Sequence, residues 1–143
     1  MTTDIKNIGR ECMALRSRMA ARTITRAYDN ALKPPGLRIT QLPVLACIAT
    51  ELTDSISSLA DYMAVERTTL TWNLQLLEKK GLIRIEDEGY RRSRKMRLTE
   101  EGAKMLKAAI PIWEQTQDEL KQKLGTDQWN MVSAGLNILT KSA

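Results

Sequence analysis

Apolar residues recur at steps of three and four along most of the chain, which predicts a mainly helical protein. Ile5, Ile8, Cys12, Leu15 and Met19 share one helical face, and the pattern continues through Ala20, Ile24, Ala27 and Ala31. Pro34-Pro35-Gly36 then breaks it. The spacing predicts one helix of about 25 residues whose narrow apolar stripe and basic flanks suit pairing with another helix. A second helix is expected from about Thr40 to Thr50, with Pro43 tolerated in its first turn.

The segment SISSLADYMAVERTTLTWNLQLLEKKGLI, residues 55–83, carries two more helical faces. Ile56, Leu59, Ala60 and Met63 make a short amphipathic helix with Ser57 as candidate N-cap. A tight turn at Ala64-Val65 leads to a helix from about Glu66 to Lys80, stopped by Gly81. On this helix Leu70, Leu74 and Leu77 cluster on one side. Thr68, Trp72, Gln75 and Lys79 take the other, with Thr71 beside them and no acidic residue among them. Two short helices joined this way fit a helix-turn-helix, whose second helix enters a major groove. Spacing alone fits an ordinary helical hairpin in a bundle as well.

The period then changes from helical to alternating. Ile83 and Ile85 alternate with Arg84 and Glu86, and Met96 and Leu98 with Lys95 and Arg97, on either side of a glycine-bearing turn. This predicts a two-stranded hairpin whose tip, Asp87 to about Arg94, holds Arg91, Arg92 and Arg94. Arginine on a projecting tip can reach phosphates or enter a narrow minor groove. A helix-turn-helix followed directly by a basic hairpin is a winged helix, a far more specific pattern than either half. Beyond Thr99-Glu100-Glu101, Leu106, Ile110, Trp113, Gln117, Leu120 and Leu124 form a long seam, with a kink expected near residue 107 from Pro111. Gly125 ends that helix, Thr126 or Asp127 caps the next, and Trp129, Val132, Leu136 and Leu139 line its apolar side.

The expected fold class is therefore mostly α with a small β-hairpin wing. Residues 36–99 would form the winged helix-turn-helix, and residues 1–35 and 100–143 a helical dimerisation region with unmet apolar stripes.

Composition narrows the chemistry. The chain has 143 residues, 43% hydrophobic and 27% charged, enough to build a core and unlike a disordered polymer. No apolar run is long enough to span a membrane, and the N-terminus lacks the apolar stretch of a secretory signal, so no membrane association and a cytoplasmic location are expected. Histidine is absent and cysteine occurs only at Cys12 and Cys47, which excludes the usual zinc sites and histidine triads. With no convergent nucleophile–base set in view, the expectation is a non-enzyme without metal or cofactor. The net charge of +5 points to an anionic partner, and its placement is sharper than its size. Residues 40–63 hold Glu51, Asp54 and Asp61 but no Lys or Arg, whereas residues 91–97 hold Arg91, Arg92, Arg94, Lys95 and Arg97.

The stretches LADYMAVERTTLTWNLQLLEKKGLIRI, RRSRKMRLTEEG and AIPIW, with GLRITQLPVLACI upstream, resemble the MarR family of transcriptional regulators over essentially the whole chain. The resemblance implies an obligate homodimer with one winged helix per subunit on a pseudo-palindromic double-stranded DNA operator. It further implies a repressor released by a small phenolic or lipophilic effector or, alternatively, by cysteine oxidation. By position, Thr68, Thr69, Trp72 and Asn73 fall on the recognition helix and Arg92 at the wing tip. Two positions depart from the family pattern. Trp72 stands where arginine is common, so the bidentate guanine contact is lost there. Tyr90 stands where an aspartate often braces the wing arginine, leaving that brace to Asp87 or Glu88.

The expected DNA-binding set is Ser57, Ser58, Arg67, Thr68, Thr69, Thr71, Trp72, Asn73, Gln75, Arg91, Arg92 and Arg94. Ser57 and Ser58 would donate to phosphate at a helix N-terminus. Arg67 would meet a phosphate or form a salt bridge, and Trp72 is expected to be exposed rather than packed on the wing. An effector pocket between the dimer helices and the winged helix would draw on Arg16, Met19 and Trp113. Cys12 is the redox candidate, because a peroxide-sensing branch of the family carries a cysteine in its first helix. Its place in the stripe with Ile8 and Leu15 favours a buried, inert thiol. Tyr28, a conceivable partner, lies about 24 Å along a straight helix, and the second helix (ITQLP) lacks that branch's tyrosine. Cys47 falls among core residues.

Overall fold

Leu45, Leu59, Leu74, Leu77, Val44 and Ile83 are almost wholly shielded from solvent and mark the centre of the molecule. The computed structural model describes residues 5–88 and 93–141, the side chains of residues 87, 88, 93 and 94 excepted. In chain order the elements are α1 (Ile5–Glu11), α2 (Met13–Ala31), α3 (Leu42–Ala49), α4 (Ile56–Met63) and α5 (Arg67–Lys79). The hairpin strands β1 (Ile83–Glu88) and β2 (Ser93–Leu98) follow, then α6 (Glu100–Leu124) and α7 (Thr126–Lys141). This is the mainly helical winged fold that the periodicities predict.

The core joins α3, α4, α5 and the hairpin to the first half of α6, with Ala109 fully buried there. Leu70, Leu74 and Leu77 of α5 all point into it, as their spacing requires. Strand register places Ile83 opposite Leu98 and Ile85 opposite Met96, so one face of the hairpin packs on the helices. On the other face Arg84 stands opposite Arg97, and a 3.5 Å ion pair from Arg97 to Glu86 offsets that like-charge contact.

Local signals set the joints. Ala64 caps α4 in the left-handed region (φ 54°), and Glu66, two residues later, is the N-cap residue of α5. Thr99 caps α6 by accepting from the Gly102 N–H at 3.0 Å, while its own N–H donates to the Leu82 carbonyl at 3.0 Å. Gly102 lies so close to this corner that a Cβ there would overlap the Leu82 carbonyl oxygen. Glycine is therefore required at position 102 by contact rather than by dihedral freedom.

Two local expectations need correction. The N-terminal helix is not continuous: Cys12 adopts φ −58° and ψ 114°, which separates α1 from α2. α1 has Gly9 near its end and buries no side chain, so neither propensity nor packing holds it in line. The N-cap of α4 is Ser55, not Ser57. Ser55 is extended and its hydroxyl accepts from the Ser58 N–H at 3.0 Å, while the Ser58 hydroxyl accepts from the Ser55 N–H at 3.2 Å. This reciprocal box satisfies two donors at once, which a Ser57 cap would not. Beyond the wing, α6 runs from Glu100 to Leu124 as a single element with Pro111 inside it.

Candidate nucleic-acid interface

The side of α5 opposite its buried leucines is open. Thr68, Thr69 and Gln75 are exposed, Thr71 is half-buried, and Trp72 is 66% exposed, as expected for an indole that does not pack on the wing. Arg67, Thr68, Thr71, Trp72 and Gln75 line one shallow concavity along the helix. Glu78, the acid within α5, is turned away: its carboxylate accepts from the Ile85 N–H at 2.9 Å and ties α5 to the first wing strand. Helix and hairpin are thus joined by a charge-assisted hydrogen bond as well as by the core.

The remaining sequence-predicted residues divide. Arg67 forms no salt bridge with α4; its guanidinium donates to the exposed Ser57 hydroxyl at 2.9 Å, placing both at the mouth of the helix pair. Ser58 is committed to the capping box, and its hydroxyl reaches the Ser55 carbonyl at 3.0 Å and the Asp54 carboxylate at 3.3 Å. Asn73 is half-buried and donates to the Thr40 carbonyl at 2.9 Å, away from the concavity. Arg91, Arg92 and Tyr90 lie outside the described residues. Arg94 is paired in register with Asp87 on the backbone, and the proposed brace from Asp87 or Glu88 likewise lies outside the described side chains.

On the far side of the core a largely apolar groove of about 540 Å³ opens between α3, α4 and α6. Leu42, Cys47, Tyr62, Leu106, Ile110 and Trp113 are among its walls. Of the three residues expected to line an effector pocket, only Trp113 lies there; Arg16 and Met19 are exposed on α2 and do not line it. Tyr62 and Cys47 were not assigned to a pocket from sequence. Tyr62 gave a signal, an aromatic ring off the apolar stripe of its helix, whereas Cys47 looked like core. Burial pushes the Cys47 thiol above its ordinary pKa, which disfavours the thiolate.

Cys12 is half-buried in the joint between α1 and α2, not in the middle of a packed stripe. Tyr28 is buried against α6, where its hydroxyl donates to the Gln117 side-chain oxygen and burial raises its pKa. Among the described residues no cluster of acidic or cysteine side chains could hold a metal ion, and no helix is long and apolar enough to cross a membrane.

This arrangement defines a winged helix-turn-helix protein with an open reading helix. No family profile and no curated protein matches the chain. Solved structures do. The Mycobacterium tuberculosis transcriptional regulator MosR in complex with DNA is 37% identical, with a TM-score of 0.84 over 92% of this chain and 96% of that one. An Escherichia coli MarR mutant complexed with operator DNA shares 19% identity and the fold, with a TM-score of 0.82 over 96% of this chain and 99% of that one. A MarR-family regulator from Rhodococcus sp. RHA1 shares 17% identity, with a TM-score of 0.77 over 99% of this chain and 100% of that one. The chain belongs to the MarR family of transcriptional regulators.

Proposed function

We propose that the protein is a homodimeric, sequence-specific repressor that binds double-stranded DNA at a pseudo-palindromic operator. The observation that carries this reading is the exposed, acid-free α5 surface around Trp72, held rigidly to a basic hairpin. Its similarity to MosR, a relative crystallised with DNA, supports the same use of that surface. Each α5 would enter a major groove and each wing would approach the flanking minor groove. Thr68, Thr71, Trp72 and Gln75 would face bases; Arg67 with Ser57, Thr69 and the wing arginines Arg91, Arg92 and Arg94 would face the backbone or the minor groove.

Residues 1–35 and 100–143 would form the dimer layer. Ile5 and Ile8 at 82% and 59% exposure, and Leu136 and Ile138 at 57% and 66%, are apolar surfaces that a second copy would cover. The apolar groove beside Trp113 has walls suited to a small phenolic or lipophilic effector. An effector that favours a spacing of the two lobes mismatched to the operator would release DNA by population shift. The protein would act in the cytoplasm, without catalysis. A second reading, thiol-based redox control, is supported by the place of Cys12 at the α1–α2 joint, where a bulky oxidised sulfur would disturb two helices; a Cys12→Ser variant that keeps peroxide-sensitive DNA binding would dismiss it.

Selection from a randomised duplex pool tests the main reading. The expected product is an inverted repeat with half-site centres about one helical turn apart, bound with an affinity that falls steeply with salt. Enrichment of no sequence would refute it.

A further inference from the structure

Asn73 lies among the polar residues of α5, yet its amide is turned toward the body of the protein. Its Nδ2 donates to the Thr40 carbonyl at 2.9 Å, across 33 residues of sequence. The turn carrying that carbonyl is held from the other side as well, because the Ile39 N–H donates to the Asp29 carboxylate at 2.8 Å. Asp29 is half-buried in the last turn of α2. The turn is itself braced: the buried Gln41 side chain accepts from the Arg38 N–H at 3.1 Å. A parallel tie runs from the Lys80 ammonium, at the end of α5, to the Gly36 carbonyl at 3.4 Å.

Two adjacent residues, Ile39 and Thr40, therefore connect α2 to α5 through hydrogen bonds, one of them charge-assisted. An asparagine that reads adenine uses both ends of its amide in a bidentate contact. With one Nδ2 hydrogen held by a main-chain carbonyl, the amide is oriented toward Thr40, and turning it to a base edge would break the tie. A displacement of α2 must carry the turn and α5 along, or break these bonds.

We infer that Asn73 is a positioning residue which, with Asp29, forms a strut between the dimer helix α2 and the reading helix α5 and so fixes the separation of the two reading helices. The inference rests on the proposed dimeric DNA-binding function. It replaces the base contact that the position of Asn73 in the sequence suggests.

The test uses the full chain and duplexes selected from a randomised pool by the wild-type protein. Asn73→Ala, Asp29→Ala and Asp29→Asn are titrated against the selected duplex, its single-base variants, and versions with one or two base pairs added or removed at the dyad. Asn73→Ala and Asp29→Ala should each bind the parent duplex about three- to tenfold more weakly, the range of one net hydrogen bond. Both should keep the wild-type order of preference among single-base variants while losing discrimination against altered spacing. Asp29→Asn, whose side-chain oxygen still accepts from Ile39, should stay close to wild type. The double alanine variant should be little weaker than either single one, as for two ends of one device.

A merely stabilising contact would shift the melting temperature without changing spacing discrimination, and that result overturns the strut. So does relaxed preference at one base pair in Asn73→Ala but not in Asp29→Ala, because that is the mark of a base reader. If Asn73→Ala folds poorly, the contrast between Asp29→Ala and Asp29→Asn decides, with equal spacing discrimination counting against the strut. Selection of no sequence by the wild type refutes DNA reading itself, whereas selection followed by wild-type spacing behaviour in the variants refutes only the strut.

Discussion

The winged helix and the helices that flank it bury their apolar residues to very different degrees. In α3, α4 and α5 the leucines, isoleucines and valine on the core side are nearly all covered, down to 0% for Val44, Leu45, Leu59, Leu74 and Leu77. α1 and α7 bury no residue at all, and α2 buries only Tyr28. Both regions carry the same helical periodicity, so the pattern announces a face but not what covers it. The first region completes its core within one chain; among the described residues of the second, the apolar faces of α1 and α7 stay largely uncovered. Under the proposed function, that difference would give them separate tasks, holding a reading surface still and joining two copies.

The contrast can be broken at its strongest point first. Gly102→Ala would drive a Cβ into the Leu82 carbonyl at the corner where the wing meets α6. We expect a loss of more than about 3 kcal/mol, beyond ordinary overpacking because the obstacle is main chain; a melting curve within error of wild type would contradict the packing described for that corner. Leu74→Ala should cost about 2–5 kcal/mol by leaving a cavity at a fully buried site. Leu136→Glu, by contrast, alters a residue 57% exposed in the single chain. Its chain should fold, with circular dichroism unchanged, while sedimentation shows dissociation to monomers. If Leu136→Glu instead leaves the oligomer intact, the division of labour between the two regions fails.

Trp72→Ala sharpens the comparison from the reading side. An indole so exposed contributes little to the fold, so stability should change by less than about 0.5 kcal/mol. Selection should nonetheless return a different preferred base under α5. Unchanged selection would move the reading face elsewhere. The smallest effect concerns pH. Burial raises the Cys47 thiol and the Tyr28 phenol, so the unfolded chain loses these protons before the folded one does. Their contribution is fully present below the unfolded pKa values and is lost as pH rises through the folded ones. Denaturant titrations should show stability declining above the ordinary thiol pKa of about 8.5, with a shallower decline in Cys47→Ala.

Much of this architecture was legible in the chain because short-range periodicity encodes it. Leu70, Leu74 and Leu77 announced the buried side of α5, Gly81 its end, and Ile83, Ile85, Met96 and Leu98 the inward face of the wing. The exposed Trp72 followed from the same wheel. What was not legible depends on partners distant in sequence or on competition between neighbours. Ser55 and Ser57 are equally good caps by type, and only the extended backbone at Ser55 together with the answering hydroxyl of Ser58 decides between them. The α1–α2 break at Cys12 reflects an absence of packing, which the apolar stripe does not reveal. The family resemblance put Asn73 on the reading helix beside Thr68, Thr69 and Trp72; the Thr40 carbonyl that engages it enters through the fold. The groove beside Trp113 was seen from one wall only, since α3 and α4 meet α6 through tertiary packing.

The mass of the protein–duplex complex in solution tests the central claim most directly. Sedimentation equilibrium with a duplex selected by the wild-type protein should give two chains per duplex wherever binding is detected, with no intermediate carrying a single chain. A complex of one chain on one duplex, formed at full affinity, would contradict the account, since one reading helix and one wing would then suffice without a second copy.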